Sequence, residues 1–253
     1  EIGRVGTQNR QIVPLAKIPL NVRHAVLAAE DQNFYSNKAF SIKGIAQAVI
    51  DNILKLGKGR GGSTITQQYA KTAFLTSERS IQRKIKELVI SIKLENQLSK
   101  DQIFENYLNT IYFGRGSYGV MTASQQYFNR NVDQLTNSQA AVIASILRSP
   151  GLYDPKYKKG NAERLANRFE YVKNNMIEAG WLTKADAAKM KLPTVAPRST
   201  SGQLSGPKGH IIEAVQKELA KLGFSQDQLL VGGLVIKTTL DQQAQQSAVD
   251  AVN

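Results

Sequence analysis

The sequence contains no cysteine, and this removes disulfides, thiolate metal sites and cysteine nucleophiles together. Only two histidines are present, His24 and His210, too few for a histidine-based metal site. No apolar run approaches the length needed to cross a bilayer, and no signal peptide is visible. Acidic residues are scarce against basic ones, 20 to 33, leaving a net charge of +13. Such an excess points to an anionic partner: nucleic acid, an acidic membrane surface or a phosphate-bearing substrate. With 253 residues, 42% of them hydrophobic, the chain can bury one large domain, with or without a smaller appendage. It begins at Glu1 and stops inside a helical pattern, so it is expected to be a segment of something longer.

Helical periodicity dominates the chain. Residues 1–20 read as an irregular lead-in. Asn21 is the expected N-cap of a helix carrying Val22, Val26 and Ala29, which ends at the paired acids Glu30 and Asp31. Acids at a helix C-terminus face the negative end of the dipole, and a carboxylate raised in pKa there makes a better general base. They are equally readable as solvated acids. Ile42, Ile45, Ala46, Val49, Ile50, Ile53 and Leu54 form an apolar stripe followed by Lys55, Lys58 and Arg60. That pattern fits a core-facing helix and equally one lying on an anionic bilayer. Gly59 to Gln68 is a glycine loop feeding a helix start, with Thr64 and Gln67 spaced as a capping box. Lys58, Arg60 and Lys71 beside that start make an anion site the functional alternative to a plain capped helix.

Residues 81–95 are the clearest helix, with Ile81, Ile85, Leu88, Val89 and Ile92 in one stripe. Arg83 and Glu87 are four apart, either a surface ion pair or part of a site in which Lys84, Lys86 and Arg83 hold an anion beside a second carboxylate. Ser99 and Gln102 box another helix through Phe104, Tyr107 and Leu108. A loop rich in glycine and aromatics covers residues 109–119. A helix over Met121 to Phe128 follows. Thr136 and Gln139 then box an alanine-rich helix that stops at Arg148-Ser149-Pro150. Residues 161–190 read as a helical hairpin turned at Gly180 and capped at Thr183. Residues 191–209 read as a linker, followed by a helix near 210–222, a strand at Gly233 to Leu240 and a last helix from Asp241.

In combination these motifs resemble the peptidoglycan glycosyltransferase domain of class A, bifunctional penicillin-binding proteins. The residues carrying the resemblance are Glu30-Asp31 with Phe34, Gly61 to Gln68, Arg83-Lys84 with Glu87, and Glu105 to Asn109 followed by Gly114. The run into Arg148-Ser149-Pro150 fits a fifth, looser motif. Each is modest alone; their order across residues 18 to about 150 is specific. The chain departs from the family at Asn37 and Ala39, where a histidine and a glycine are usual, and at Gln139, where a glutamate is usual. Ser205 to Lys208 matches a transpeptidase Ser-x-x-Lys only formally, because Gly206-Pro207 is expected to break the helix that motif needs.

The resemblance implies a mainly α, lysozyme-like fold with a small membrane-proximal jaw, in domains of 1–190, a flexible linker at 191–209, and 210–253 as a short α/β region leading toward a transpeptidase domain. It implies polymerisation of lipid II into β-1,4-linked glycan strands with release of polyprenyl pyrophosphate. Glu30 would be the general base, and Lys71, Arg83 and Lys84 the pyrophosphate clamp. Glu87 would orient those cations or the substrate. Ser63, Thr64, Gln67, Gln68, Asn109, Gly114, Phe34 and Arg148 would serve substrate binding. Asp31 would orient Glu30's surroundings or assist a divalent cation, Mg2+ or Mn2+, which the family permits; no ligand set is legible. Implied partners are lipid II, the growing glycan chain, an anionic membrane surface and moenomycin-type inhibitors, on the outer face of the cytoplasmic membrane. A lysozyme-like glycan-cleaving enzyme is the alternative. A nucleic-acid binder explains only the charge, which is spread through every helix and loop rather than gathered on one face.

Overall fold

The computed structural model describes residues 9–37, 63–75, 80–197, 206–224 and 236–251. The chain forms two units, Ile12–Arg198 and a smaller one combining Glu1–Gln11 with Ser199–Asn253. The stripe from Ile42 to Leu54, its basic tail and Ala39 lie outside the described residues.

The larger unit is helical and built around α1 (Leu20–Glu30). Asn21 is not its N-cap. Pro19 takes that place at φ −57°, since it lacks an N–H and is already set for helix entry. Asn21 lies in the first turn, where its amide donates to the Leu135 carbonyl at 2.8 Å. Ala25 to Ala29 are all buried, because α1 is enclosed by α6 (Asn137–Leu147) and α8 (Asn161–Glu178). α6 starts at the expected Thr136–Gln139 capping box and is buried from Ala140 through Leu147.

On the other side stand α2 (Ile65–Phe74), α3 (Ile81–Gln97) and α4 (Lys100–Thr110). The Ser99–Gln102 box that opens α4 is fully formed. Thr64 caps α2 with its hydroxyl, accepting from the Gln67 N–H at 3.3 Å. In α3 the apolar stripe turns outward: Ile81, Ile85 and Val89 are 58%, 44% and 46% exposed. Its buried residues are Glu87, Ser91 and Leu94, because the polar side of α3 is the one that faces α2.

Residues 109–119, expected as a loop, contain a hairpin of β2 (Tyr112–Gly114) and β3 (Ser117–Tyr118); the remaining short strand, β1, is Asn9–Arg10. Arg115 and Gly116 turn it with φ of 53° and 71°, the left-handed pair that matches strand twist. Behind it come α5 (Val120–Phe128), α7 (Pro150–Tyr153), α8 and α9 (Lys184–Lys189). The α8–α9 hairpin follows the sequence reading, with Gly180 at φ +73° and Thr183 as N-cap.

Residues 191–197 do not behave as the expected flexible linker. Val195 is buried, the Ala196 N–H donates to the Tyr127 carbonyl at 2.8 Å, and Arg115 donates to the Ala196 carbonyl at 2.9 Å. Arg115 also grips Asp154 through two bonds of 2.9 and 2.8 Å, so one guanidinium ties hairpin, α7 and this segment together.

In the smaller unit, α10 is Gly206–Lys221, starting four residues before the expected position. Pro207 therefore sits in the first turn, where its missing N–H costs nothing, and does not break the helix. Residues 236–240, the described part of the expected strand, are irregular and exposed. α11 (Gln242–Asp250) begins at Asp241, whose carboxylate accepts from the Ala244 N–H at 2.8 Å.

Candidate active site

Glu30 is the last residue of α1 and Asp31 its C-cap. The open carbonyls at that helix end are answered from α8. Asn175 donates to the Ala28 carbonyl at 2.8 Å, and Arg168 donates to the Ala29 carbonyl at 2.8 Å. A cation and an amide thus meet the negative end of the dipole. What lifts the Glu30 pKa above the ordinary carboxyl value is chiefly burial; the Gln68 hydrogen bond and the charges of Arg168, Arg148 and Lys71 pull the other way. Asp31 is also raised by burial, against the Ile65 N–H, Lys100 and a backbone bond at Asn33, with Glu95 adding to the rise.

Gln68 is the joint of the site. Its amide nitrogen donates to Glu30 Oε2 at 2.9 Å and to the Ser63 carbonyl at 3.2 Å. Its carbonyl oxygen accepts from the fully buried Tyr107 hydroxyl at 3.1 Å. The other Glu30 oxygen, Oε1, is buried without a hydrogen bond and lies 3.7 Å from the Arg168 guanidinium. Asp31 serves the start of α2: its Oδ2 accepts from the Ile65 N–H at 3.3 Å, a carboxylate at a helix N-terminus.

Glu87 stands on α3, 2% exposed, between two cations. Arg83 approaches it at 3.4 Å, and Lys84 forms an ion pair with it while also donating to the Ser63 hydroxyl at 3.1 Å. Lys84 thereby connects α3 to the residues preceding α2. A cavity between α1, α2 and α3 is lined by Asp31, Thr64, Thr66, Gln67, Glu95 and Lys100. Inside it the Thr66 hydroxyl donates to Glu95, and Lys100 pairs with Glu95 at 2.7 Å.

Several expected substrate-binding residues are committed to the framework. Asn109 is 6% exposed; its oxygen accepts from the Val13 N–H at 2.8 Å and its nitrogen donates to the Val13 carbonyl at 2.9 Å. Glu105, in the same motif, accepts from the Leu15 N–H at 2.6 Å. Gly114 has φ +87°, and a Cβ there would stand 2.6 Å from Pro150 Cβ. Phe34 is 1% exposed and packs on Phe104 at 5.7 Å between ring centroids. Lys71 and Arg148 are exposed and meet the site through their charge on Glu30.

The sequence motifs assign no site role to Thr66, Glu95, Lys100, Tyr107, Arg168 or Asn175. Arg168 and Asn175 left a legible signal. They lie seven residues apart among Leu165, Phe169, Val172 and Met176, polar side chains on a helix's apolar face. Among the described residues no three His, Asp or Glu side chains converge on a metal-sized space. Asp31 and Glu95 are met by N–H, hydroxyl and ammonium donors, so these residues do not supply a divalent cation's ligand set.

The site thus sets a largely buried carboxylate among several cations on a helical frame. The chain belongs to the transglycosylase family, whose pattern matches residues 1–177. It is 44% identical to penicillin-binding protein 1A of Mycolicibacterium smegmatis over 253 residues, 97% of this chain and 32% of that protein. It is 42% identical to penicillin-binding protein 1A of Mycobacterium tuberculosis, over 96% of this chain and 30% of that one. With penicillin-binding protein 1F of Bacillus subtilis the identity is 38%, over 98% and 34% respectively. The chain therefore spans about a third of the length of these relatives. The crystal structure of penicillin-binding protein 1A from Haemophilus influenzae has the same fold, at a TM-score of 0.51 and 23% identity, over 98% of this chain and 26% of that one.

Proposed function

We propose that the chain is a peptidoglycan glycosyltransferase that polymerises lipid II and releases polyprenyl pyrophosphate. The observation that carries this reading is Glu30, largely buried yet hydrogen-bonded through one oxygen, and raised in pKa toward the range where a base accepts and later returns a proton.

In the reaction, Glu30 takes the proton from the 4-hydroxyl of the acceptor's GlcNAc. The oxygen forms a bond to the anomeric carbon of the donor's lipid-linked MurNAc. The bond from that carbon to pyrophosphate breaks on the opposite face, and the electron pair leaves with the phosphate. One displacement turns the α link into β. Pyrophosphate leaves readily once its charge is matched, so cations suffice and no strong general acid is needed. Lys71, Arg83 and Lys84 are the cations for this, with Glu87 holding the last two in register.

The +13 charge supports work at an anionic membrane surface, which in this reading is the outer face of the cytoplasmic membrane. No helix among the described residues is long and apolar enough to cross a membrane. Moenomycin-type inhibitors would compete in the same cleft.

The test is a gel assay of lipid II polymerisation in detergent, comparing the parent with Glu30→Gln. Long strands from the parent and none from the variant, with lipid II still bound by both, are expected. A variant as active as the parent refutes the base assignment. Shortening of preformed strands without polymerisation would favour the glycan-cleaving alternative.

A further inference from the structure

Arg168 contributes to no step above, yet it is among the few buried charges of the larger unit, at 8% exposure. It projects from α8 onto the end of α1, across 139 residues of sequence from its carbonyl partner. Three contacts hold it: the Ala29 carbonyl at 2.8 Å, the Tyr171 ring beneath its guanidinium at 4.3 Å, and Glu30 Oε1 at 3.7 Å. A buried guanidinium costs solvation, and removing one partner of a buried ion pair leaves the other charge uncompensated.

The two oxygens of Glu30 are treated differently. Oε2 is held by Gln68, itself locked by Tyr107. Oε1 has no hydrogen bond and faces Arg168. We infer that Arg168 is a positioning residue for Glu30. It anchors the last turn of α1 through the Ala29 carbonyl and sets its charge against Oε1, so that the carboxylate stays ionised and oriented.

This rests on the reading of Glu30 as the base. The other charged and titratable groups around Glu30 are Lys71 on α2, Arg148 after α6, Tyr107 on α4 and the adjacent Asp31. Lys71 and Arg148 are exposed, so water and salt screen them; Arg168 is not screened in that way.

The experiment is the pH dependence of lipid II polymerisation, as kcat and KM, for the parent, Arg168→Gln and Arg168→Lys. Glutamine keeps a donor for the Ala29 carbonyl but no charge; lysine keeps the charge. Loss of an opposite charge at this distance is expected to move the acid limb of kcat upward by about one pH unit. Below that limb the rate of Arg168→Gln falls about tenfold, with KM changed less than about twofold, and it recovers at alkaline pH. Arg168→Lys is expected to bring the limb back toward the parent. Asn175→Leu, which removes the neutral bond to the Ala28 carbonyl, serves as the structural control: it lowers thermal stability without moving the limb.

The inference is overturned if Arg168→Gln keeps the parent's acid limb, or if its loss of rate is the same at every pH and matched by Asn175→Leu. If Arg168→Gln does not fold, Arg168→Lys decides. Near-parental folding with the parent's limb supports the inference, and a rate loss equal at all pH values overturns it. If Glu30→Gln itself remains active, the base assignment has failed first, and that outcome is distinct from a normal Glu30 requirement with an unmoved limb.

Discussion

Replacing Asn109 by alanine separates a substrate contact from a framework clasp. Asn109 closes a two-way bond with Val13, donating and accepting at 2.9 and 2.8 Å. Both residues are nearly inaccessible, at 6% and 5% exposure, so water cannot replace what is lost. Alanine leaves the Val13 N–H and carbonyl buried and unpaired, at about 1–3 kcal/mol each. Alanine's better helix propensity returns about 0.7 kcal/mol in α4. The net loss is about 3 kcal/mol, a drop in Tm of roughly 6–12 °C for a unit of this size. Asn109→Asp should not rescue it, because the donor facing the Val13 carbonyl becomes a second oxygen. Thermal unfolding followed by circular dichroism measures this, alongside lipid II KM at a temperature where the variant is folded. Lowered Tm with near-parental KM is expected of a framework clasp. An unchanged Tm with lost lipid II binding would refute it and return Asn109 to the substrate.

Gly114→Ala and Gly116→Ala test the hairpin in the same spirit. Both positions have positive φ, but only at Gly114 does the new Cβ meet Pro150 Cβ at 2.6 Å and the Tyr127 hydroxyl at 2.9 Å, while Gly116 has nothing within 4 Å. In urea unfolding Gly116→Ala should lose about 1 kcal/mol and Gly114→Ala about 3 kcal/mol, the excess being overpacking; equal losses would contradict the packing at Pro150. Glu30→Gln should also change stability with a definite sign. The Glu30 carboxyl is raised in the folded state, so its contribution is full below the ordinary carboxyl value and is lost as pH rises through the folded one. The glutamine variant carries no such loss, and should melt above the parent near about pH 8, the gap closing toward about pH 4. A gap that widens on acidification would reverse the assigned shift.

Local signals were read from the sequence with good effect, because their partners lie within four residues. The Ser99–Gln102 and Thr136–Gln139 boxes, the Thr183 cap, the Gly180 turn and the start of the last helix at Asp241 all stand where expected. Asn21 failed as a cap since Pro19, two residues earlier, had already fixed the entry to α1. In α3 the period named which residues share a side but not which way that side faces. Glu87 with its two cations claims the inner face, and Ile81, Ile85 and Val89 lie outward. The linker reading of 191–209 came from composition alone, which cannot register that Arg115 and Tyr127 hold residue 196 by its backbone.

The sequence alone determined that the chain is mainly helical and that motifs of the transglycosylase family run in order from Glu30 to Arg148. Those features live in local hydrogen bonding, periodicity and residue type. Only the tertiary structure decided what each motif residue touches. Glu30 meets Gln68 across 38 residues, and Arg168 reaches the end of α1 across 139. Burial, which raises Glu30 and Asp31, is a property of packing and has no signature in the spacing of letters. The same packing sets Asn109 against Val13, Gly114 against Pro150 and Phe34 against Phe104.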